Sequence, residues 1–154
     1  MMEDKRVLEL LPAVYAVCQL GVDAPVPAWA TCGAFFSATH TDAELSVICL
    51  EHQVPGTVRK EGGWRLLRVR GSLPFSLTGV VASLTSPMAI AGISVFALST
   101  FETDYLLVKQ ERLLQAVRCW KAAGYGVIHE RDALSPVGDS SEAGCELNGG
   151  EGCW

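Results

Sequence analysis

The sequence predicts an α+β fold in which one antiparallel sheet carries its helices on one face. Apolar residues make up 49% of the 154 residues and charged residues only 19%, which is typical of a chain that buries a sizeable core. Most apolar runs are short, rich in β-branched and aromatic residues and bounded by turn-forming residues, so they predict strands. Two stretches of the second half instead carry apolar residues at helical spacing, and they predict helices.

The first half of the chain is predicted to be β-rich, because residues 28–31 leave room for little more than one helical turn. Turn-forming residues follow at Pro55, Gly56, Gly62 and Gly63, so residues 57–63 are interpreted as a linker. The first unit would then be a shortened one over residues 8–56. Its strands are expected at 14–20, 35–39 and 45–50.

The second half, residues 64–130, is predicted to contain two full helices. Ser76 is placed to cap the first helix, Pro87 is expected to break it near Ser86, and Gly92 to end it. The predicted elements are a strand at 64–70, this first helix, strands at 93–98 and 105–108, a second helix from 113 to 120 and a strand at 125–129. This order is the ferredoxin-like βαββαβ arrangement.

Helical and strand spacing also predicts which side chains are buried. The second helix is expected to bury one stripe of four residues and to stop at Gly124. That stripe consists of Leu113, Leu114, Val117 and Trp120. The predicted core of the second half consists of Trp64, Leu67, Val80, Leu84, Phe96, Leu107, Val117 and Trp120.

The stretch 92–109 is predicted to be a hairpin at the centre of the sheet, because both faces of its strands are largely apolar. The corner between the strands, residues 99–104, brings hydroxyls, an aromatic ring and two carboxylates together at one sheet end. Binding groups often gather on such loops. The corner is therefore the first candidate for a functional site.

The first half resembles a shortened copy of the second at an offset of sixty residues. The shift places Phe36 on Phe96, Thr39 on Ser99, Glu44 on Asp104, Ile48 on Val108 and Glu51 on Glu111. The copy lacks most of its helices, so we expect it to pack edge-on against the full unit. The strand edges and apolar faces that it leaves uncovered predict a homodimer.

The second half resembles an ACT domain, the small regulatory module that senses amino acids. Three segments carry the resemblance: Phe75 to Gly79, Gly92 to Phe96, and Ser99 to Tyr105 followed by Leu106 to Val108. Residues 8–130 as a whole resemble the compact tandem ACT proteins of bacteria, which are related to the eukaryotic cytosolic arginine sensors. The resemblance implies a non-catalytic, dimeric regulatory protein that holds an amino acid at an interface between ACT units. Residues 131–154, rich in Gly, Ser and Glu, depart from the family and are predicted to be disordered.

Eight residues are predicted to bind the ligand. The helix start at Leu77-Thr78-Gly79 offers free N–H groups and the positive end of the helix dipole to a carboxylate, and the lack of a side chain at Gly79 permits close approach. Asp104, with the Thr100 hydroxyl, offers acceptors to an ammonium or guanidinium. Each residue also has a purely structural explanation, since Gly79 can serve helix packing and Asp104 can cap a turn. The set is Leu77, Thr78, Gly79, Ser94, Val95, Thr100, Phe101 and Asp104.

Several classes of function are disfavoured by the sequence. A net charge of −5 without a basic stripe disfavours nucleic acid, and no apolar run reaches the roughly 18 residues of a membrane span. The six cysteines form no CxxC pair, the three histidines lack ligand spacing with them, and no metal or cofactor is expected. Free thiols and the absence of a signal-peptide pattern predict a cytoplasmic protein.

Two alternatives to an amino-acid sensor stay open. An enzyme would need a nucleophile with a base, and Cys49 with His52 is the only close Cys–His pair, at a spacing that sends the side chains to opposite faces of a strand. Glu102 and Asp104 are the nearest candidates for paired carboxylates. The other alternative is a protein–protein interaction module with a vestigial pocket. The sequence identifies neither the amino acid nor a regulated partner.

Overall fold

A computed structural model describes residues 6–129, in which seven strands form one sheet and two α-helices cover part of it. The strands are β1 (Val7–Leu20), β2 (Ser37–His40), β3 (Leu45–Leu50), β4 (Arg59–Val69), β5 (Val95–Ser99), β6 (Asp104–Lys109) and β7 (Gly126–His129). The helices are α1 (Val80–Ile90) and α2 (Leu113–Ala122). Short 3-10 helices lie at Ala28–Thr31, Glu51–Gln53 and Gln110–Arg112. The predicted disordered segment 131–154 lies outside the described residues.

The strands follow the order β2-β3-β1-β4-β6-β5, with every neighbouring pair antiparallel. From β4 to β7 the chain runs strand, helix, strand, strand, helix, strand, so the predicted α+β class and βαββαβ order are confirmed. The last strand differs from the predicted antiparallel sheet, because β7 pairs in parallel with the first residues of β1, Val7 opposite Gly126. The strand β1 therefore belongs to both halves of the sheet.

The first strand is seven residues longer at its start than the predicted strand at 14–20. A proline inside an apolar run normally argues against a strand, because it cannot donate to the ladder. Here the pairing of β1 with β4 is irregular between Leu10 and Val14, and Pro12 lies exposed within that irregularity. The strand continues past Pro12 because the irregularity removes the need for its missing N–H.

The predicted linker 57–63 is wrong for most of its length, because β4 begins at Arg59. The two glycines that suggested a linker form a β-bulge, at which two residues of β4, Gly62 and Gly63, oppose one residue of β1, Ala16. Gly63 has φ +75°, and its N–H donates to Glu51 Oε1 at 3.2 Å. A Cβ at Gly62 would collide with the same carboxylate, so the glycines serve close packing within a strand.

The first helix begins later than predicted and is not broken. Its N-cap is Gly79, in the left-handed conformation with φ +77°, so the predicted cap at Ser76 is wrong. The helix continues through Pro87 without the predicted break near Ser86. Its end at Gly92 is confirmed: the N–H of Gly92 donates to Ala89 O at 3.2 Å and that of Ile93 to Met88 O at 2.9 Å. These two bonds form a Schellman motif.

The predicted central position of the hairpin is wrong for its first strand, because β5 is the edge strand of the sheet. Phe96, predicted in the core, is 38% exposed for this reason. Leu114, predicted in the buried stripe of α2, is 74% exposed, whereas Ala116, which was not predicted in the stripe, is fully buried; Trp120 is fully buried as predicted. Apolar alternation alone cannot tell an edge strand from a central one, since both faces of an edge can be apolar.

The internal repeat is visible as two similar hairpins at opposite ends of the sheet, β2–β3 and β5–β6. Each hairpin closes with a four-residue turn that starts with threonine. The N–H of Thr41 donates to Glu44 O at 2.9 Å, and that of Thr100 donates to Thr103 O at 2.9 Å. The hydrogen bonding thus pairs Glu44 with Thr103 at an offset of 59, one residue from the predicted alignment with Asp104.

The cysteines of residues 6–129 do not all follow the free-thiol prediction. Cys18, Cys49 and Cys119 are free thiols, and Cys32 is disulfide-bonded. Within the same residues, no helix combines the length and the apolar character that crossing a membrane requires. The described part of the chain also holds no cluster of three or more His, Cys, Asp or Glu side chains that could bind a metal ion.

Candidate functional site

A cavity of about 320 Å³ lies between the start of α1 and the corner that joins β5 to β6. The loop 73–77 closes one side of it. The lining residues are Leu73, Pro74, Phe75, Leu77, Gly79, Val80, Val81, Ala82, Ser99, Thr100, Phe101, Glu102, Thr103 and Asp104. The cavity therefore joins two stretches of the chain that are some twenty residues apart, and both of them were predicted to carry binding groups.

The first wall of the cavity is the beginning of α1. The first N–H groups of a helix have no partner within it, and no side chain caps this end at Gly79. The N–H groups of the first turn and the positive end of the helix dipole therefore meet the cavity at Val80, Val81 and Ala82. A Cβ built on Gly79 meets no atom within 4 Å, so the space beside this residue is open.

The second wall is the corner, and two acidic residues of the corner, Glu102 and Asp104, line the cavity. Ser99 and Asp104 are paired residues of the β5–β6 ladder, and Ser99 Oγ donates to Asp104 Oδ1 at 2.5 Å. Among the described residues no ion pair forms with Asp104, and no Lys or Arg lines the cavity. Asp104 thus shares the cavity with the helix start, and no cationic side chain is in the lining.

The loop 73–77 and the corner are tied together by a hydrogen bond and by an aromatic contact. The N–H of Leu73 donates to Glu102 O at 2.7 Å. The rings of Phe75 and Phe101 meet edge to face with centroids 5.0 Å apart, although the two residues are 77% and 81% exposed. The loop and the corner are therefore one connected rim around the cavity, with two large apolar rings turned toward solvent.

The family model for the ACT domain matches residues 59–120, which span β4 to α2 and include both walls of the cavity. A second family model, described as an N-terminal domain, matches residues 13–57. The crystal structure of the protein Atu0741 from Agobacterium tumefaciens superposes with a TM-score of 0.78 at 36% identity, over 82% of this chain and 94% of that one. This chain therefore contains an ACT domain, over residues 59–120.

Two human relatives are similar over shorter stretches. CASTOR3P is 32% identical over 92 residues, which are 51% of this chain and 56% of the relative. Subunit 1 of the cytosolic arginine sensor for mTORC1 is 41% identical over 49 residues, which are 31% of this chain and 15% of the sensor. The chain thus spans about half the length of the first relative and a small part of the second.

Five of the eight predicted binding residues of the ACT domain line the cavity, and three do not. Leu77, Gly79, Thr100, Phe101 and Asp104 are in its lining. Thr78 precedes the helix and is exposed, while Ser94 and Val95 lie at the start of the edge strand, outside the lining. The Thr100 hydroxyl donates to Thr103 O at 3.2 Å and accepts from Thr103 N at 3.3 Å, so it offers a ligand only its second lone pair.

The sequence-based prediction missed several residues of this ACT cavity, most clearly Phe75, Ser99 and Thr103. Ser99 belongs to the predicted corner but not to the eight predicted binding residues, and among the described residues its hydroxyl is the only one that bonds Asp104. Thr103 is 7% exposed, and its position is signalled only by the turn that it shares with the first repeat. Phe75 carries no such signal, because nothing in the sequence pairs it with Phe101.

Cys49 and His52, the Cys–His pair considered for catalysis, do not form a site. Cys49 is fully buried beside Cys18, outside the cavity, and burial raises the pKa of its thiol to about 12. His52 is exposed, and its Nε2 lies 3.1 Å from Gln53 Nε2. A neutral, buried thiol without a base beside it is not an activated nucleophile.

Proposed function

We propose that this ACT protein is a non-catalytic regulatory protein that binds a free amino acid in the cavity between the start of α1 and the corner 99–104. The observation that carries the proposal is the polarity of the cavity, with uncapped helical N–H groups on one wall and the Asp104 carboxylate on the other. A zwitterion laid across the cavity would put its carboxylate on the helix start and its ammonium on Asp104. The names of the similar arginine sensors point to the same class of ligand.

Charge balance favours a ligand that brings a cation. Asp104 is partly buried, and its hydrogen bond from Ser99 leaves the second carboxylate oxygen open to a ligand. A partly desolvated carboxylate without a cation is costly, and a positively charged group within hydrogen-bond distance recovers part of that cost. A neutral analogue without the ammonium should therefore bind more weakly than the amino acid.

The proposal includes a second ACT unit over the cavity, supplied by a homodimer in the cytoplasm. Three apolar side chains at the mouth, Phe75, Phe101 and Val81, are between 41% and 81% exposed, and β5 ends the sheet with an unpaired edge. Exposed apolar groups beside a cavity are typical of interaction surfaces. Ser94 and Val95, at the start of that edge, would then lie in the interface between the units. In the dimer they would contribute to the site of the partner chain.

A protein–protein interaction module is the second candidate, and it is favoured by apolar side chains distant from the cavity lining. Ile90 at the end of α1 is 89% exposed and Leu114 in α2 is 74% exposed. The Arg112 guanidinium links these helix ends by a 3.5 Å contact to Ala91 O. A partner could dock on this end of the helical layer whether or not the cavity binds a ligand.

A thermal-shift screen of the common amino acids against the purified chain tests the proposal, with sedimentation velocity in parallel. We expect one or a few amino acids to raise the melting temperature and to shift the sedimentation toward a dimer, since a ligand that binds only the associated form stabilises it by mass action. A screen in which no amino acid shifts the melting temperature would favour the interaction module. A species of about 16.5 kDa at all concentrations, with the ligand bound, would contradict the shared site.

A further inference from the structure

Thr103 occupies the last position of the corner turn and connects the corner to the neighbouring strand. Its side chain is buried, and its Oγ1 donates to the carbonyl of Val69 at 2.8 Å. Val69 is the last residue of β4, and the backbone pairing between β4 and β6 ends at Arg68 and Tyr105. The Thr103 hydroxyl therefore adds a bond between the strands just beyond the end of their ladder.

The same residue holds the turn in shape. Its carbonyl accepts from Thr100 N at 2.9 Å and from Thr100 Oγ1 at 3.2 Å, and its N–H donates to Thr100 Oγ1 at 3.3 Å. Its neighbour Glu102 accepts a hydrogen bond from Leu73 N through its backbone carbonyl. Its other neighbour, Asp104, lines the cavity. The direction in which Asp104 faces α1 is thus set by a turn whose buried anchor is Thr103.

The first repeat contains a corresponding connection at the corresponding position. Glu44 ends the turn that starts at Thr41, and its Oε2 accepts from Gln19 Nε2 at 2.7 Å. Gln19 belongs to β1, which neighbours β3 as β4 neighbours β6. In both halves, the fourth turn residue ties the corner to the adjacent inner strand. In the first half this bond is exposed, whereas in the second half it is buried beside the cavity.

We infer that Thr103 is a positioning residue, which holds the corner so that Asp104 and the start of α1 lie at the separation that the ligand requires. This inference rests on the proposed function. A hydroxyl that bonds a backbone carbonyl in a buried place fixes a loop more firmly than surface contacts do, because the unmade bond would leave a polar group buried. The corner and the loop 73–77, joined through Glu102 and Leu73, are then positioned as one unit.

Thr103→Val is the test variant, because it removes the hydroxyl and keeps the branched shape. Amide hydrogen exchange of the ligand-free protein should become about tenfold faster at Thr100 and Leu73, whose N–H groups bond within the corner, while the core strands keep their protection. The affinity for the amino acid that gives the largest thermal shift with the parent should fall by about the same factor. Thr103→Ser, which retains the hydroxyl, should restore both.

Glu44→Ala is the matched control, since it breaks the equivalent bond of the first repeat. It should speed exchange at Thr41 and leave the affinity and the exchange at Thr100 unchanged. Unchanged exchange at Thr100 and Leu73 in Thr103→Val, faster exchange throughout the chain, or a Thr103→Ser variant no better than Thr103→Val would each overturn the inference. If the parent binds no amino acid, the proposed function fails, and the exchange of the ligand-free variants still decides the role of Thr103.

Discussion

Trp120 should be the side chain whose truncation most damages the second half of the fold. It is fully buried among the strands and α1, in a cluster that includes Leu8, Leu84 and Leu106. Its indole Nε1 also donates to Leu84 O at 2.8 Å, which joins α2 to α1. The variant Trp120→Ala therefore removes a large apolar side chain and the polar bond between the two helices.

The expected cost can be worked out from these contacts. Truncation of a buried tryptophan to alanine costs about 3–5 kcal/mol, and loss of the indole hydrogen bond lies within that range. A domain of this size is stable by roughly 5–15 kcal/mol, so the loss should move the urea midpoint far to lower concentration. The control is Leu114→Ala on the same helix, which should change stability by less than about 0.5 kcal/mol because Leu114 is 74% exposed.

Urea unfolding of both variants gives the two free energies of unfolding. The transition is monitored by far-UV circular dichroism and not by tryptophan fluorescence, because Trp120→Ala changes the fluorescence itself. A cost below about 1 kcal/mol for Trp120→Ala would refute the packing of α2 against α1. An equal cost for Leu114→Ala would mean that α2 presents a different face to the sheet. Either result would also undermine the position of α1, whose start forms one wall of the cavity and which packs against Trp120 of α2.

Two further predictions concern a glycine and a thiol. Gly79→Ala and Gly124→Ala should each lower the free energy of unfolding in urea by roughly 1–2 kcal/mol, because both residues have positive φ, while the open space around them means that the added methyl group meets no clash. Calorimetry should find weaker amino-acid binding for Gly79→Ala only. Equal affinities of the two variants would place the ligand elsewhere. Burial raises the pKa of Cys49 from 9.0 to about 12, so the thiol ionises at lower pH in the unfolded chain than in the folded one. The free energy of unfolding should therefore fall as pH rises from about 9 towards about 12. Cys49→Ala should show a shallower decline, and an unchanged slope would contradict the raised pKa.

The second half of the fold could be predicted from sequence because its helices have clear stripes and a glycine stop. Gly92 and Gly124 end α1 and α2 as expected, and Trp120 is buried as expected. The errors come from residues whose local preference is overridden by pairing. Pro12 lies at an irregularity of β1, and Gly62 and Gly63 lie at a bulge of β4. Proline and glycine residues that normally interrupt a strand are therefore accommodated inside these two strands.

The site could be predicted in part for a similar reason. The corner residues Thr100, Phe101 and Asp104 lie close together in sequence, and Gly79 was predicted to bind the ligand near a helix start although the cap itself was misplaced at Ser76, so one local pattern identified each wall of the cavity. The contacts that hold the corner to the loop 73–77 and to β4 depend on packing between segments distant in sequence. Neither the approach of Phe75 to Phe101 nor the bond from Thr103 to Val69 has a signature in the spacing of residues.

Calorimetric titration of the parent and of Asp104→Asn tests most directly the central claim, that Asp104 binds the ammonium of an amino acid. The titrant is the amino acid that gives the largest thermal shift. Asparagine keeps an oxygen for the hydrogen bond from Ser99 and loses only the charge, so the corner should stay folded and the melting temperature of the free protein should be nearly unchanged. Binding should weaken by about 2–4 kcal/mol, a factor of tens to hundreds, because the ammonium of the ligand loses its carboxylate. Equal affinity for the parent and for Asp104→Asn would contradict the account, since Asp104 would then serve only the turn.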